Sequence, residues 1–172
     1  MGMKPEDFFA SFVEGNAWEY EEHPECIRRA FNAAISASHM ADHYYNYNKR
    51  HNPNLVSSFS ELGDYVEYLS NKTGGAFRDI RSIANAYKHL YTDSSKGASA
   101  YATLNSSGAV DHIELPGDPQ LSEMEGGYVE GNDPQAGTFE IVFTRKDGTR
   151  GKFRPVLEET LDYWRAVIRD RA

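Results

Sequence analysis

Residues 78–89 of the sequence contain two arginines, an asparagine and a histidine. On a helix that turns by about 100° per residue, Arg78, Asn85 and His89 share one face. Ser82 lies on the same face and Arg81 lies at its edge. These residue types suit phosphodiester chemistry, because a guanidinium binds the phosphate, an amide positions it and an imidazole transfers a proton. The alternative interpretation is a polar face exposed to solvent.

A second group of polar side chains lies in residues 39–46. On a helix, His39 and His43 are one turn apart, and Asp42 lies on the same flank together with Asn46. Two histidines at this spacing and a carboxylate are suitable ligands for a metal ion. The alternative is a hydrogen-bonded polar cluster that orients neighbouring helices.

These two segments resemble parts of a group of small uncharacterised bacterial and phage proteins. The matching residues are 39–43 (His-Met-Ala-Asp-His) and 80–90 (Ile-Arg-Ser-Ile-Ala-Asn-Ala-Tyr-Lys-His-Leu). In that group the second segment is followed by a β-hairpin and a helix that contains tryptophan, which here is Trp164. The resemblance spans most of the chain and carries no settled activity.

More distantly, the helical half resembles HEPN domains, helical bundles that include many toxin and defence ribonucleases. Their motif places an arginine, a polar residue and a histidine late in one helix, and Asn85 and His89 match the last two. Seven residues separate Arg81 from His89, more than in the HEPN motif, and Arg78 is farther still. The resemblance implies that His89 transfers the proton, Asn85 positions the phosphate and the two arginines contact it. It also implies an active site that is often completed by dimerisation.

Four helices are predicted in the first half of the chain. Apolar residues at steps of three and four place them at about 5–13, 24–52, 58–73 and 77–91. Pro24 is expected in the first turn of the second helix. Ser57 or Ser58 is expected to cap the third, with Glu61 placed for a capping box. Four helices joined by short loops predict an up-and-down bundle.

The second half of the chain has the pattern of a small sheet. Alternation predicts strands at 109–115 and 138–144, and a further short strand near Tyr128. Asp147-Gly148 predicts a hairpin turn, after which residues 149–153 run back along the second strand. A last helix is expected to begin at Pro155. Its Trp164 is expected to pack against the inward residues of the second strand, which are Phe139, Ile141 or Phe143.

Together these elements predict an α+β fold: an N-terminal up-and-down helical bundle of HEPN-like form, a small antiparallel β-sheet and a C-terminal helix. We expect a single domain over residues 1–172. Within it, the bundle covers about 5–91, the loop-rich β part 92–154 with a hairpin at 138–154, and the closing helix 155–171.

The composition excludes several classes of protein. Cys26 is the single cysteine of the 172 residues, so no disulfide within the chain can form. No run approaches the roughly 18 apolar residues of a membrane span, and the N-terminus is unlike a signal peptide, so we expect a cytoplasmic protein. The net charge of −8 opposes indiscriminate binding to nucleic acid. The acids are concentrated in residues 111–140 and basic residues in 145–154.

The sequence leaves three functions open. The most specific is an RNA-cleaving or RNA-binding protein of a bacterial or phage defence or toxin–antitoxin system, acting without a cofactor and with RNA and a second copy of the chain as partners. The second is a non-catalytic protein-interaction or structural module, with a protein partner. The third is a metal-binding helical protein that uses His39, Asp42 and His43, with His89 as a further ligand.

Overall fold

The structure is a computed structural model that describes residues 2–88, 102–115 and 138–169. The helices are α1 (Pro5–Phe8), a π-helical segment (Phe9–Glu14), α2 (Gly15–Glu22), α3 (Ile27–His51), α4 (Leu62–Lys72), α5 (Ala76–Lys88) and α6 (Phe153–Arg169), with 3₁₀ turns at Pro53–Leu55 and Ser107–Ala109. The strands are β1 (Val110–Leu115), β2 (Thr138–Thr144) and β3 (Arg150–Lys152). None of the described helices is both long and apolar enough to cross a membrane. The strand expected near Tyr128 and the catalytic candidate His89 lie outside the described residues.

The long helix α3 is the centre of the helical bundle. It packs against α2, α4, α5 and α6. The side chains that α3 turns inward include five buried alanines, Ala30, Ala33, Ala34, Ala37 and Ala41. Because alanine side chains are short, the neighbouring helices can approach α3 closely, and the larger Phe77, Ile80 and Ile83 of α5 fill the space beside it.

A three-stranded antiparallel sheet in the order β1-β2-β3 packs on this bundle through α6. Val110 lies opposite Phe143 in the β1–β2 pair, and Thr144 lies opposite Arg150 in the β2–β3 pair. The side chains of Ile141 and Phe143 are fully buried, as alternate residues of β2 that face the core. Since α6 contacts β2, α3 and α5, it joins the sheet to the bundle. The expected α+β fold class is therefore confirmed.

The indole of Trp164 lies where α6 meets the bundle. It is fully buried and belongs to the same core cluster as Ile141 and Phe143, the inward residues of β2. Its ring centroid is 5.4 Å from that of Tyr44 on α3. The side chain thus packs α6 against α3 within the core that the sheet and the bundle share.

The first helix ends later than predicted, and the second helix begins later than predicted. The N-terminal helix was expected to stop near Val13, but α1, the π-helical segment and α2 continue to Glu22, and the helix buries Ala17 and Tyr20 along the added length. The second helix does not begin with Pro24. Pro24 lies in a turn and α3 begins at Ile27, where the carbonyl oxygen of Cys26 accepts the first helical hydrogen bonds.

The expected cap of α4 was also wrong. Neither Ser57 nor Ser58 caps it, because the helix begins later, at Leu62. Glu61 occupies the N-cap, and its side chain accepts the backbone N–H of Asp64 while the Asp64 carboxylate accepts the N–H of Glu61.

At the other end of the chain, α6 begins at Phe153 instead of Pro155. Pro155 then lies in the first turn, where a missing N–H leaves no helical bond unmade.

A buried carboxylate connects α5 to the sheet. Asp79 is 5% exposed, and its two oxygens accept hydrogen bonds from Nε and Nη2 of Arg145, at 2.6 to 3.1 Å. The hydroxyl of Thr103 donates to the same carboxylate at 2.9 Å. The backbone N–H of Lys146 donates to the carbonyl oxygen of Thr103, so residues 102–105 are held between α5 and the β2–β3 hairpin. The close carboxylate raises the pKa of Arg145 above its ordinary value, mainly through these hydrogen bonds.

Trp164→Ala is expected to lower the free energy of unfolding by about 3 to 5 kcal/mol, because it leaves a cavity in the core where α6 packs on α3. Denaturant melts followed by circular dichroism measure the change. The matched control is Trp18→Ala, whose side chain is 63% exposed and whose loss should change stability by less than about 1 kcal/mol. Equal, small effects of both substitutions would contradict the placement of α6.

Asp79→Asn is expected to destabilise the protein by about 3 kcal/mol, because it leaves the half-buried guanidinium of Arg145 without a charged partner. The matched control is Asp162→Asn, which removes an exposed carboxylate from a pair with Arg165 and should cost less than about 1 kcal/mol. The same denaturant melts serve as the measurement. If Asp79→Asn is as mild as the control, the pair with Arg145 does not hold the sheet to α5.

Candidate functional site

The polar face of α5 forms one wall of a cleft. Opposite the buried stripe of this helix, the side chains of Arg78, Arg81 and Asn85 line a cavity of about 430 Å³, which we call the main cleft. The second wall is α4 and the residue before it. It contributes Glu61, Leu62, Gly63, Asp64, Val66, Glu67 and Ser70. The cleft therefore has a cationic wall and an acidic wall, with apolar atoms of α4 between them.

A smaller cavity of about 280 Å³, the side cleft, lies between α3 and α5. His39 and Asp42 line it from α3, and Lys88 lines it at the end of α5. Arg81 and Asn85 line both clefts, so they form the partition between the two. The structure thus brings the polar flank of α3 and the polar face of α5 together at one place.

Asp42 and Arg81 connect these two helices directly. Nη1 of Arg81 donates to Oδ1 of Asp42 at 3.1 Å, across 39 positions of sequence. Both side chains are about one-third exposed, at 29% for Arg81 and 36% for Asp42. The pair fixes the direction of the Arg81 guanidinium and balances its charge.

Arg78 differs from Arg81 in having no such partner. Its side chain is half-buried, and no other described side chain makes an ion pair or a hydrogen bond with its guanidinium. The amide of Asn85 is likewise half-buried without a hydrogen bond to the described part of the chain. A half-buried polar group without a hydrogen bond is stabilised when it forms one. These two side chains are therefore available to bind a ligand.

His43 does not join this site. Its Nε2 lies 2.9 Å from the carbonyl oxygen of Met3, and its ring stacks on Phe8 with centroids 4.6 Å apart. A carbonyl oxygen only accepts, so Nε2 must carry the hydrogen in this contact and cannot at the same time bind a metal ion. His43 therefore ties the N-terminal segment to α3.

A metal site made of His39, Asp42 and His43 would require the three side chains to converge on one point. Asp42 instead faces Arg81, and His43 faces Met3. Among residues 2–88, 102–115 and 138–169, no group of three or more histidine, cysteine or acidic side chains is arranged to hold a metal ion. His89, the further ligand considered from the sequence, lies outside these ranges.

The acidic wall is the part of the site that the sequence analysis missed. Glu61, Asp64 and Glu67 lie three residues apart, a spacing that places side chains on one face of a helix. This regular spacing could have predicted the acidic wall from the sequence. Asp64 is already engaged, since its carboxylate accepts the backbone N–H groups of Ser60 and Glu61 at 3.0 and 3.3 Å.

In chemical terms, the main cleft can bind an anionic group at Arg78 and hydrogen-bond donors at the acidic wall. The side cleft adds an imidazole and an ammonium group, from His39 and Lys88. The side cleft reaches Lys88, the last residue of α5. Comparison of the chain with protein-family models, curated proteins and solved structures found no match.

A double-mutant cycle tests the link between the two helices. Asp42→Ala, Arg81→Ala and the double variant are expected to give a coupling energy of about 0.5 kcal/mol, a modest value because both side chains are partly exposed. Denaturant melts of the four proteins provide the measurement. A control cycle of Asp42→Ala with Arg78→Ala should show no coupling, and equal results from both cycles would mean that Asp42 does not pair with Arg81.

Proposed function

We propose that the main cleft binds RNA and that the protein cleaves the bound strand without a metal ion. The observation that carries this proposal is the half-buried guanidinium of Arg78, which has no partner among the described residues and lies beside Arg81 and Asn85. A guanidinium in this state binds a phosphate strongly, because the hydrogen bonds are charge-assisted and water is partly excluded.

Each residue of the site has a distinct role in this proposal. Arg78 holds the phosphate, and Asn85 orients it by donating a hydrogen bond from its amide. Arg81 is held by Asp42, which balances its charge, so its guanidinium offers the phosphate hydrogen bonds from a fixed position. His89 moves the proton, a role inferred from the sequence.

The cleavage reaction needs no group beyond those of the protein and the RNA. The 2′-oxygen of the ribose attacks the adjacent phosphorus while its proton is removed, and the bond from phosphorus to the 5′-oxygen breaks as that oxygen gains a proton. The products are a 2′,3′-cyclic phosphate and a 5′-hydroxyl. Imidazole can serve for proton transfer and guanidinium for charge stabilisation.

The likeness to HEPN domains is our reason for proposing a role in a bacterial or phage defence or toxin–antitoxin system. It also supports a homodimer in which two copies of the cleft lie side by side. Both ideas rest on the segments 39–43 and 80–90 and on the helical form of the first half of the chain.

A protein-interaction role is the second candidate, and it has an observation of its own. Trp18 on α2 is 63% exposed and Phe12 in the π-helical segment is 45% exposed. Exposed large aromatic side chains are typical of surfaces that bind other proteins. This surface lies on different helices from the two clefts, so the two functions are separable by mutation.

His89→Ala is expected to lower the rate of RNA cleavage by about 10²-fold or more, because it removes the group that transfers the proton. The assay follows a labelled single-stranded RNA in the presence of EDTA, with folding checked by circular dichroism. His23→Ala is the matched control, since His23 is exposed and, within the described part of the chain, its side chain pairs with Glu25 alone. A substrate with a 2′-deoxy group at the cut site must remain intact.

Binding is measured separately from cleavage. Arg78→Ala should weaken RNA binding and reduce its salt dependence by about one phosphate contact, whereas Arg50→Ala at the exposed end of α3 should not. Equal cleavage by wild type and His89→Ala would assign the activity to a contaminant. If Arg78→Ala binds RNA like wild type, the main cleft is not the binding site.

A further inference from the structure

We infer that the main cleft selects a guanine base next to the phosphate held by Arg78. This inference rests on the proposed function, because it takes RNA as the ligand of the cleft. It goes further in assigning the acidic wall, which phosphate binding alone does not use.

The two walls of the cleft have opposite charges. Arg78 and Arg81 line the cleft from α5, and the acidic residues Glu61, Asp64 and Glu67 line it from the start of α4. A polyanion alone would be repelled by the acidic wall. A ligand fits both walls if it has an anionic group for the arginines and an edge of hydrogen-bond donors for the carboxylates.

Two of the three acids already accept backbone N–H groups at the start of α4. Glu61 accepts the N–H of Asp64, and Asp64 accepts the N–H groups of Ser60 and Glu61, so both are used in capping α4. Glu67, one turn farther along the helix, makes no ion pair or hydrogen bond through its side chain with the described residues. Its carboxylate is therefore the acceptor that the cleft offers.

The bases differ in how well they satisfy a carboxylate. The Watson–Crick edge of guanine has two adjacent donors, N1–H and the N2 amino group, which match the two oxygens of a carboxylate. Adenine and cytosine each offer one amino group on that edge. In uracil the N3–H lies between two carbonyl oxygens, which a carboxylate repels. Unpaired bases in single-stranded RNA are read on this edge.

The size of the cleft agrees with a single nucleotide. Its volume of about 430 Å³ lies in the range of pockets that enclose one small ligand. The walls come from two packed helices, and α4 is fixed by its capping box and by the buried Tyr65. The acceptor and the guanidinium are thus presented by rigid elements, as selective binding requires.

The test compares oligouridines that carry a single central guanosine, adenosine, cytidine or uridine, with 2′-fluoro groups that prevent cleavage. Fluorescence anisotropy should give an affinity for the guanosine oligonucleotide about tenfold or more above that for the uridine one. Glu67→Gln should remove this preference and leave binding of the uridine oligonucleotide unchanged or stronger. Glu21→Gln, an exposed glutamate on α2, is the matched control and should keep the preference.

The outcomes separate this inference from the proposed function. Equal binding of all four oligonucleotides, still weakened by Arg78→Ala, overturns the guanine preference and leaves RNA binding intact. A guanosine preference that persists in Glu67→Gln overturns the role of the acidic wall. The absence of binding to every oligonucleotide overturns both proposals.

Discussion

The attachment of the β2–β3 hairpin to α5 depends on one ion pair, between the buried Asp79 of α5 and the half-buried Arg145 that follows β2. A carboxylate that is 5% exposed is stable only when it is fully hydrogen-bonded, and here Arg145 and Thr103 supply the donors. The guanidinium also lies 4.9 Å from the ring centroid of Phe143, and a Cβ atom at Gly151 would collide with that ring. The strand next to β2 therefore needs glycine at this position, so the helix, the ion pair and the hairpin constrain one another.

The ion pair also affects the main cleft, because Asp79 and the cationic wall of the cleft lie on the same helix, α5. Asp79 lies next in sequence to Arg78, and the two side chains serve different purposes: one binds the hairpin and the other lines the main cleft. Ser82 connects them, since its hydroxyl donates to the carbonyl oxygen of Arg78 and accepts the backbone N–H of Thr103 at 2.8 Å. The position of the cationic wall is thus set by the same contacts that attach the sheet, and loss of the ion pair would disturb the cleft as well as the fold.

The sequence predicted those elements whose signal is local. The strand at 138–144, the turn at Asp147-Gly148 and the stripe of α5 each follow from spacing within a few residues. The start of α4 was predicted too early because Ser57 and Ser58 are residue types that commonly cap helices, whereas the observed cap is Glu61 in a capping box with Asp64. In the site, the shared face of Arg78, Arg81 and Asn85 was predictable. The pairing of Asp42 with Arg81 and of Asp79 with Arg145 was not, because partners 39 and 66 residues apart leave no local pattern.

The pairing of Asp42 with Arg81 bears on how a chain of net charge −8 could bind an anion at all. At a distance, such a protein repels a polyanion, and salt screens that repulsion beyond about 10 Å. Within the cleft, the nearby charges determine whether an anion can bind. Asp42 balances Arg81, whereas the guanidinium of Arg78 pairs with no carboxylate among the residues that the structure describes. In the proposed function, such a guanidinium would bind a phosphate by direct contact instead of by long-range attraction, and the acids on the opposite wall would favour ligands that also offer hydrogen-bond donors.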